Sequence, residues 1–472
     1  MPEFDVYTQI PLAGLRPGAA AAVHLTDASV TMSAGTYEIA SLHIWNLGDV
    51  PTGNFFMKED ATLIVNRSFY MGGCDSQITL AGKIYVNDVT WMYGSGSAVT
   101  LSGELISSGK SEIQFMMASS SMLITGLIDF SNTTGSPLTL GGYYTTTTVA
   151  AGAVINAKYS LQLKTSAYQN FYIDGGQVNV HRFYGQRVKN YLGSLANYHM
   201  KSGTFSHFGW EAELTGKDHD NTGVVVFNQS GGLVVMNQGG GTFNLTGQKN
   251  ANDGGKVCTL GVGIYNLSGG RLVLHRGISY GVVGQYAENA DAVRIDEAVA
   301  YSGYAGGQFN FTGGELQTES LSIHLDNKGG TLIVGLDDAQ GATLFGAEGM
   351  TYSQSAASSL ALDFIALDQY DKLDYTGALS SVFFEDGTHI RITLADGFSP
   401  ENGEQFDIVQ AALLSGNADM FNIWINGVLT SDWTAEILGS TTLRLKAPGI
   451  PEPAFSAGLI VLLALVRGMR RR

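Results

Sequence analysis

From about residue 60 to about residue 340 the chain runs in short segments of alternating apolar and polar residues, broken repeatedly by glycine. ITLAG, VTLSG and MLITG each carry such a segment into a small residue and then into Gly82, Gly103 or Gly126. A period of two puts apolar side chains on one face of a strand and polar ones on the other. No long helical pattern lies between these segments, so crossover helices are not expected to join them.

A sharper repeat follows. FNQSGGLVV starts at Phe227, YNLSGGRLVL at Tyr265 and FNFTGGELQ at Phe309, with a partial copy, FNLTG, at Phe243. The steps between successive starts are 16, 22 and 44 residues, the last read as two turns of 22. FYIDGGQVNV from Phe171 and NKGGTLIVG from Asn327 are looser relatives. Each unit is two alternating segments hinged at Ser/Thr-Gly-Gly, where the glycines supply the positive φ of a sharp corner. One such unit cannot bury its apolar side alone, so stacked copies must do it for one another. These features predict an all-β chain whose residues 1–354 form a right-handed parallel β-helix of coils about 20–23 residues long. Asn228, Asn266 and Asn310 are assigned to turns or to an amide ladder between coils. A β-propeller fits less well, because its blades are about 40–50 residues long.

Composition shifts near Ser358, where acidic residues become more frequent and EDG and SPENGE mark turns. Residues 355–447 are expected to form an antiparallel-leaning β module that covers the open strand edges of the coils.

The whole-chain numbers narrow the choice of partners. Only 14 % of the 472 residues are charged, 61 are glycine, and the formal net charge is −16. An acidic chain of this kind repels phosphate backbones, so nucleic acid is not an expected partner. The two cysteines, Cys74 and Cys258, give neither a disulfide framework nor a metal-binding spacing, and spacing alone does not decide whether they pair. MPEFDVYTQIPLAG has no basic stretch leading into an apolar run, so a signal peptide is expected upstream of the sequence given.

The tail reads PGIPEPAFSAGLIVLLALVRGMRRR. Pro451, Glu452 and Pro453 precede an apolar run over residues 454–466, which includes Ala454, Leu459, Val461, Leu463 and Val466. Arg467, Arg470, Arg471 and Arg472 follow it. The order resembles the PEP-CTERM sorting signal of bacteria that carry an exosortase. The resemblance implies a sorting and membrane-anchor tail over residues 448–472 with a short hydrophobic C-terminal helix, an exosortase-type processing enzyme as partner, transient tethering to the inner membrane, and a final place at the cell surface or outside it. Residues 360–410, with YDKLDYTG from Tyr370 and LADGFSPENGEQFDIV from Leu394, resemble the C-terminal module of autotransporter-like and PEP-CTERM β-helix proteins, without an outer-membrane barrel.

Chemistry candidates are sparse. Asp218, His219, Asp220, Asp326, Asp337 and Asp338 could serve acid/base work on a glycosidic bond or hold Ca²⁺, but Asp, Asn and Gly are also ordinary turn residues. His181, His199, His207 and His275 are expected as solvated or hydrogen-bonded surface groups. Aromatics within residues 183–200 could stack on sugars or cover the flank of the coils. The expectation is a structural or adhesive protein without catalytic residues, cofactor or metal, with extracellular polysaccharide as a candidate partner. The alternative is a polysaccharide lyase or glycosidase on the same scaffold.

Overall fold

The computed structural model describes residues 4–6, 22–26, 30–45, 54–107, 113–133, 138–141, 144–164, 168–186, 195–209, 212–213, 224–239, 242–245, 262–279, 307–336, 340–400 and 403–449. The chain divides into two compact units, Met1–Leu325 and Asp326–Arg472. Strands make up nearly all of the regular structure, and among the described residues the only helix is the 3-10 turn Ala418–Met420. No helix among them is long and apolar enough to cross a membrane. The hydrophobic helix expected over the tail lies outside the described residues.

In the first unit the strands form three parallel stacks, which the chain visits in turn. The first stack holds Phe55–Met57, Gln77–Leu80, Ala98–Leu101, Ser121–Ile124 and Thr145–Ala150, then the leading halves of Tyr168–Gln186, Leu195–His207, Val224–Met236, Val262–Leu274 and Gly307–Thr318. The second holds Lys83–Val86, Glu104–Ser107, Leu127–Phe130 and the leading half of Val154–Lys164, then the later halves of the same long strands. The third runs through Val89–Ser95, Ile113–Ala118 and Leu138–Gly141 to the short strands Ala212–Glu213, Phe243–Asn244 and Ile278–Ser279. This long parallel sheet is consistent with a β-helix or solenoid. The N-terminal pair of Phe4–Val6 with Val30–Met32 runs antiparallel.

Because the pairing is in register, each sequence position builds a column. Phe55, Ile78, Val99, Met122, Thr147, Phe171, Tyr198, Phe227, Tyr265 and Phe309 follow one another along the first stack. All ten are buried. The last four stack ring on ring, with centroids 5.5, 4.8 and 5.5 Å apart and planes within 9, 5 and 22°. Such pairs add about 0.5–1.5 kcal/mol each beyond the apolar area they bury. The Tyr265 hydroxyl donates to Gln229 Oε1 at 2.6 Å, and Gln229 Nε2 donates to the Arg271 carbonyl at 2.9 Å, so these two buried polar side chains are paired.

The glycines at 82, 103 and 126 have a different cause from the positive φ expected of turn glycines. None of the three has a positive φ. A β-carbon on Gly103 would overlap the carbonyl oxygen of Gly82, and one on Gly126 that of Gly103. The coils approach so closely at this corner that only glycine fits. In the Ser/Thr-Gly-Gly hinge the two jobs are divided between the residues. Gly231, Gly269 and Gly313 pass close to the carbonyl of the preceding coil, while Gly232, Gly270 and Gly314 take φ of 69, 73 and 76°.

Two parts of the repeat reading are corrected. Phe243 is not a copy of Phe227, because Phe243–Asn244 belongs to the third stack and pairs with Ala212–Glu213 and Ile278–Ser279. Tyr265 and Phe309 pair directly, so their separation is one long coil and not two of 22. Bonded ladder positions are 21 and 23 residues apart in the early coils, then 27, 38 and 44. The coil containing Tyr198, which pairs with both Phe171 and Phe227, is absent from the sequence repeat because YHMKSG has lost its Asn and its first hinge glycine.

The second unit also has three parallel stacks. Thr331–Val334, Ser359–Ala366, His389–Leu394 and Asn422–Ile425 form one. Thr343–Gly346, Lys372–Tyr375 and Gln405–Ala411 form another, and Thr351–Gln354, Ser381–Phe384 and Leu413–Ser415 the last. The antiparallel lean expected of residues 355–447 is therefore confined to the hairpin of Ser359–Ala366 with Gln369–Tyr370 and to the end of the unit. There Thr442–Lys446 runs antiparallel to both Gln405–Ala411 and Thr434–Leu438, and Val428–Thr430 folds back on Asn422–Ile425. Asn426 and Gly427, with φ of 48 and 80°, make that last hairpin turn, as two positive φ values in a two-residue loop require. Buried Phe364, Phe406 and Trp433 pack beneath these strands, with Phe364 and Phe406 rings 4.6 Å apart.

Two substitutions test this account of the first unit. Gly103→Ala should lower stability by about 1–3 kcal/mol in chemical denaturation, since the carbonyl beneath it is backbone and cannot swing away. Ser102→Ala, at the exposed neighbouring position, should change it by less than about 0.5 kcal/mol. Gln169 is fully buried, and among the described residues neither end of its amide finds a hydrogen-bond partner. Gln169→Met should therefore raise stability, by about 1–3 kcal/mol. A fall would show that the amide is satisfied in solution.

Candidate functional site

The outward side of the first stack collects most of the chemistry that the described residues offer. Here the motif Phe/Tyr-Asn-x-Ser/Thr-Gly-Gly resolves into separate tasks. The aromatic points inward and stacks, and the Asn points outward. Asn266 Nδ2 donates to Asn228 Oδ1 at 2.8 Å, and Asn310 Nδ2 donates to Asn266 Oδ1 at 2.6 Å. The Ser or Thr hydroxyl then reaches back to a carbonyl of the preceding coil, from Ser230 to Met200, Ser268 to Gln229 and Thr312 to Leu267, at 3.5, 3.2 and 3.5 Å. The predicted ladder role of Asn228, Asn266 and Asn310 is thus observed. Amide ladders of only two members occur elsewhere, Asn197 to Asn170 on this face and Asn179 to Asn156 on the second stack.

Two coils upstream, the same outward column holds rings in place of amides. Tyr172 and His199 are register partners, and their rings stack at 4.4 Å with planes 12° apart. Lys201 Nζ lies 5.0 Å from the Tyr172 ring centroid and 3.8 Å from Asp174 Oδ2, while the Ser202 hydroxyl donates to Asp174 at 3.2 Å. Burial, and after it the positive charge of Lys201, holds the His199 imidazole below its usual range. Burial and then Arg391 do the same for His389 in the second unit, whose Nδ1 accepts from Trp424 Nε1 at 3.0 Å. Desolvation alone pushes the buried Tyr198 and Tyr265 phenols well above their ordinary value, so both stay neutral.

The aromatics of residues 183–200 divide. Phe183 and Tyr198 are core residues in edge-to-face contact at 5.4 Å, which removes them as sugar platforms or flank cover. His199 looks outward. His207 is also corrected from surface to core: it is fully buried and accepts a hydrogen bond from the Asn237 backbone N–H at 3.0 Å. His181 is exposed, as expected, and His275 is half-buried.

Of the candidate carboxylates, Asp326 accepts from the Ser353 hydroxyl at 2.6 Å and lies 3.3 Å from Lys328 Nζ, an ordinary surface arrangement. Asp218, His219, Asp220, Asp337 and Asp338 lie outside the described residues, as do Cys258 and the whole tail from Pro451 to Arg472. Among the described residues no three of His, Cys, Asp and Glu come together as a metal site would require. No family model matches the chain, and no curated protein matches it. Sequence reasoning passed over Tyr172, Lys201 and Asp174. Their signal was the alternation in FYIDGG, which places Tyr172 outward between two buried neighbours.

The ladder predicts its own weak point. Asn266→Ala removes both bonds of the central amide and should cost about 1–2 kcal/mol in chemical denaturation, more than Asn310→Ala at the end of the ladder. A depressed His199 stays neutral in the folded chain while the unfolded chain takes up a proton as pH falls through about 6.5. The stability this group contributes is therefore complete above that pH and declines below it. His199→Gln should shrink the drop in melting temperature between pH 7 and pH 5, and an unchanged drop would assign the acid sensitivity elsewhere.

Proposed function

We propose that this chain is an exported surface or extracellular-matrix protein, structural or adhesive in role. Its body is a right-handed parallel β-helix, and an exosortase-type enzyme sorts it at its PEP tail. The observation that carries the reading is the order of the tail: Pro451, Glu452 and Pro453, then thirteen apolar or small residues, then Arg467, Arg470, Arg471 and Arg472. At 1.5 Å per residue a helix over residues 454–466 would reach only about 20 Å, short of the roughly 30 Å of a hydrocarbon core. Such a segment suits a transient tether, with the arginines held on the cytoplasmic side. The body supports the reading through its stacked coils, whose outward faces carry amides and hydroxyls at Asn228, Asn266, Asn310, Ser268 and Thr312.

A copy tagged at both ends, expressed in an exosortase-positive host, tests this directly. Surface material should carry the N-terminal tag and lack the C-terminal one, and Glu452→Ala should leave both tags with the inner membrane. Retention of both tags in the cytosol, or indifference to an exosortase deletion, would remove the sorting hypothesis.

A further inference from the structure

We infer that the first stack carries a binding shelf for a neutral glycan, built by Tyr144, Thr146, Thr148, Asn170 and Tyr172. The inference deepens the adhesive reading above and takes its biological setting from it. Tyr144 and Tyr168 stack on adjacent coils at 5.8 Å with planes 29° apart, and they remain 60 % and 43 % exposed. Large rings left this open on the side of a sheet are not core residues displaced by accident, because their inward neighbours Thr145 and Gln169 are buried. Four residues along the same strand, about 13 Å, Tyr172 stands in the column above Thr148.

The column changes size at that point. Leu123 and Thr148 precede Tyr172 in register, and Ser121 and Thr146 precede Asn170. His199 and the Lys201 ammonium lie against Tyr172 from the later coil. The neighbour on the other side is only a threonine. A short oligosaccharide lying over Thr146 and Thr148 would set the C–H face of one ring against Tyr172 and reach Tyr144 at the far end. Tyrosine offers such a ligand an apolar ring with a polar tip. Between the two aromatics Asn197 donates to Asn170 Oδ1 at 3.3 Å, leaving the Asn170 NH₂ and the two threonine hydroxyls to meet sugar hydroxyls. A few placed polar groups around an apolar platform is how sites fix the orientation of a polar ligand.

Charge selects among glycans. Asp174 is paired with Lys201, so the shelf itself carries no net charge, while the chain as a whole carries −16. Uronate or sulfated polymers would be repelled at a distance, and the one ammonium described beside Tyr172 is already met by Asp174.

Affinity electrophoresis and calorimetry of the purified full chain test the shelf, with dextran, galactomannan and hydroxyethyl cellulose as neutral probes and alginate and polygalacturonate as anionic ones. At least one neutral probe should bind. Tyr172→Ala and Tyr144→Ala should each weaken it ten-fold or more, Tyr172→Phe less than three-fold, and Tyr85→Ala on the second stack less than two-fold. Melting curves of each variant confirm that it is folded. The shelf is overturned if none of the neutral probes binds, if the anionic ones bind as tightly, or if Tyr172→Ala binds like the parent. None of these results bears on sorting, which the tag experiment reads separately.

Discussion

Register between coils is the constraint from which the rest of this molecule follows. Along the stacks, strands pair in parallel with the strand one coil earlier and one coil later, about 4.8 Å away on either side. A side chain therefore sits on whatever occupies the same position in the next coil, and the sequence is tolerable only if residues stack well on their own kind. Flat rings do so inside the bore, as Tyr198, Phe227, Tyr265 and Phe309 show. Primary amides do so outside, because each has a donor for one neighbour and an acceptor for the other. Where backbone passes directly over a carbonyl, as at Gly103 and Gly126, no side chain at all is the stable choice.

The same rule accounts for the low charge of the chain. Charged residues repeated at one outward position would face a like charge at the coil spacing, which is destabilising. At two places on the stacks charged residues meet as register partners, and there the signs are opposite. Lys83 meets Glu104 at 2.9 Å, and Arg271 meets Glu315 at 3.8 Å. These pairs are half exposed and add little stability in themselves. Their value lies in avoiding repulsion. The repeat thus reaches its outward polarity with Asn, Ser and Thr, and the 14 % charged composition follows from geometry as much as from any partner.

The sequence made the strand period, the stacked-coil class and the amide ladder readable, because each repeats with the coil itself. Coil length was misread where it changed. Phe243 and Asn244 copy the letters of the motif while lying on another stack, and the segment between Ser279 and Gly307 stretches one coil to 44 residues. Motif spelling cannot separate an extra coil from a long connection; only the pairing of Tyr265 with Phe309 does. The hinge glycines were credited with positive φ alone, since the overlap with a carbonyl one coil away is invisible in a linear chain. Parallel pairing in residues 359–425 was missed for a similar reason, because alternation is the same in parallel and antiparallel strands. Tyr198 and Phe183 looked like surface aromatics within a polar-looking segment, and register places both inside.

Self-satisfaction of the columns also bears on where a ligand can engage such a body. An amide held between two amides has already committed its donor and one acceptor, and a ring between two rings has both faces covered. A uniform column is therefore a poor site, however polar its composition. Openings arise where a column changes kind, because the larger side chain then overlooks a smaller one and keeps a face exposed. The outward column of the first stack passes from Leu123 and Thr148 to Tyr172 and His199 and only then settles into Asn228, Asn266 and Asn310. The proposed shelf sits at such a change of kind, whereas the uniform columns on either side of it serve the fold.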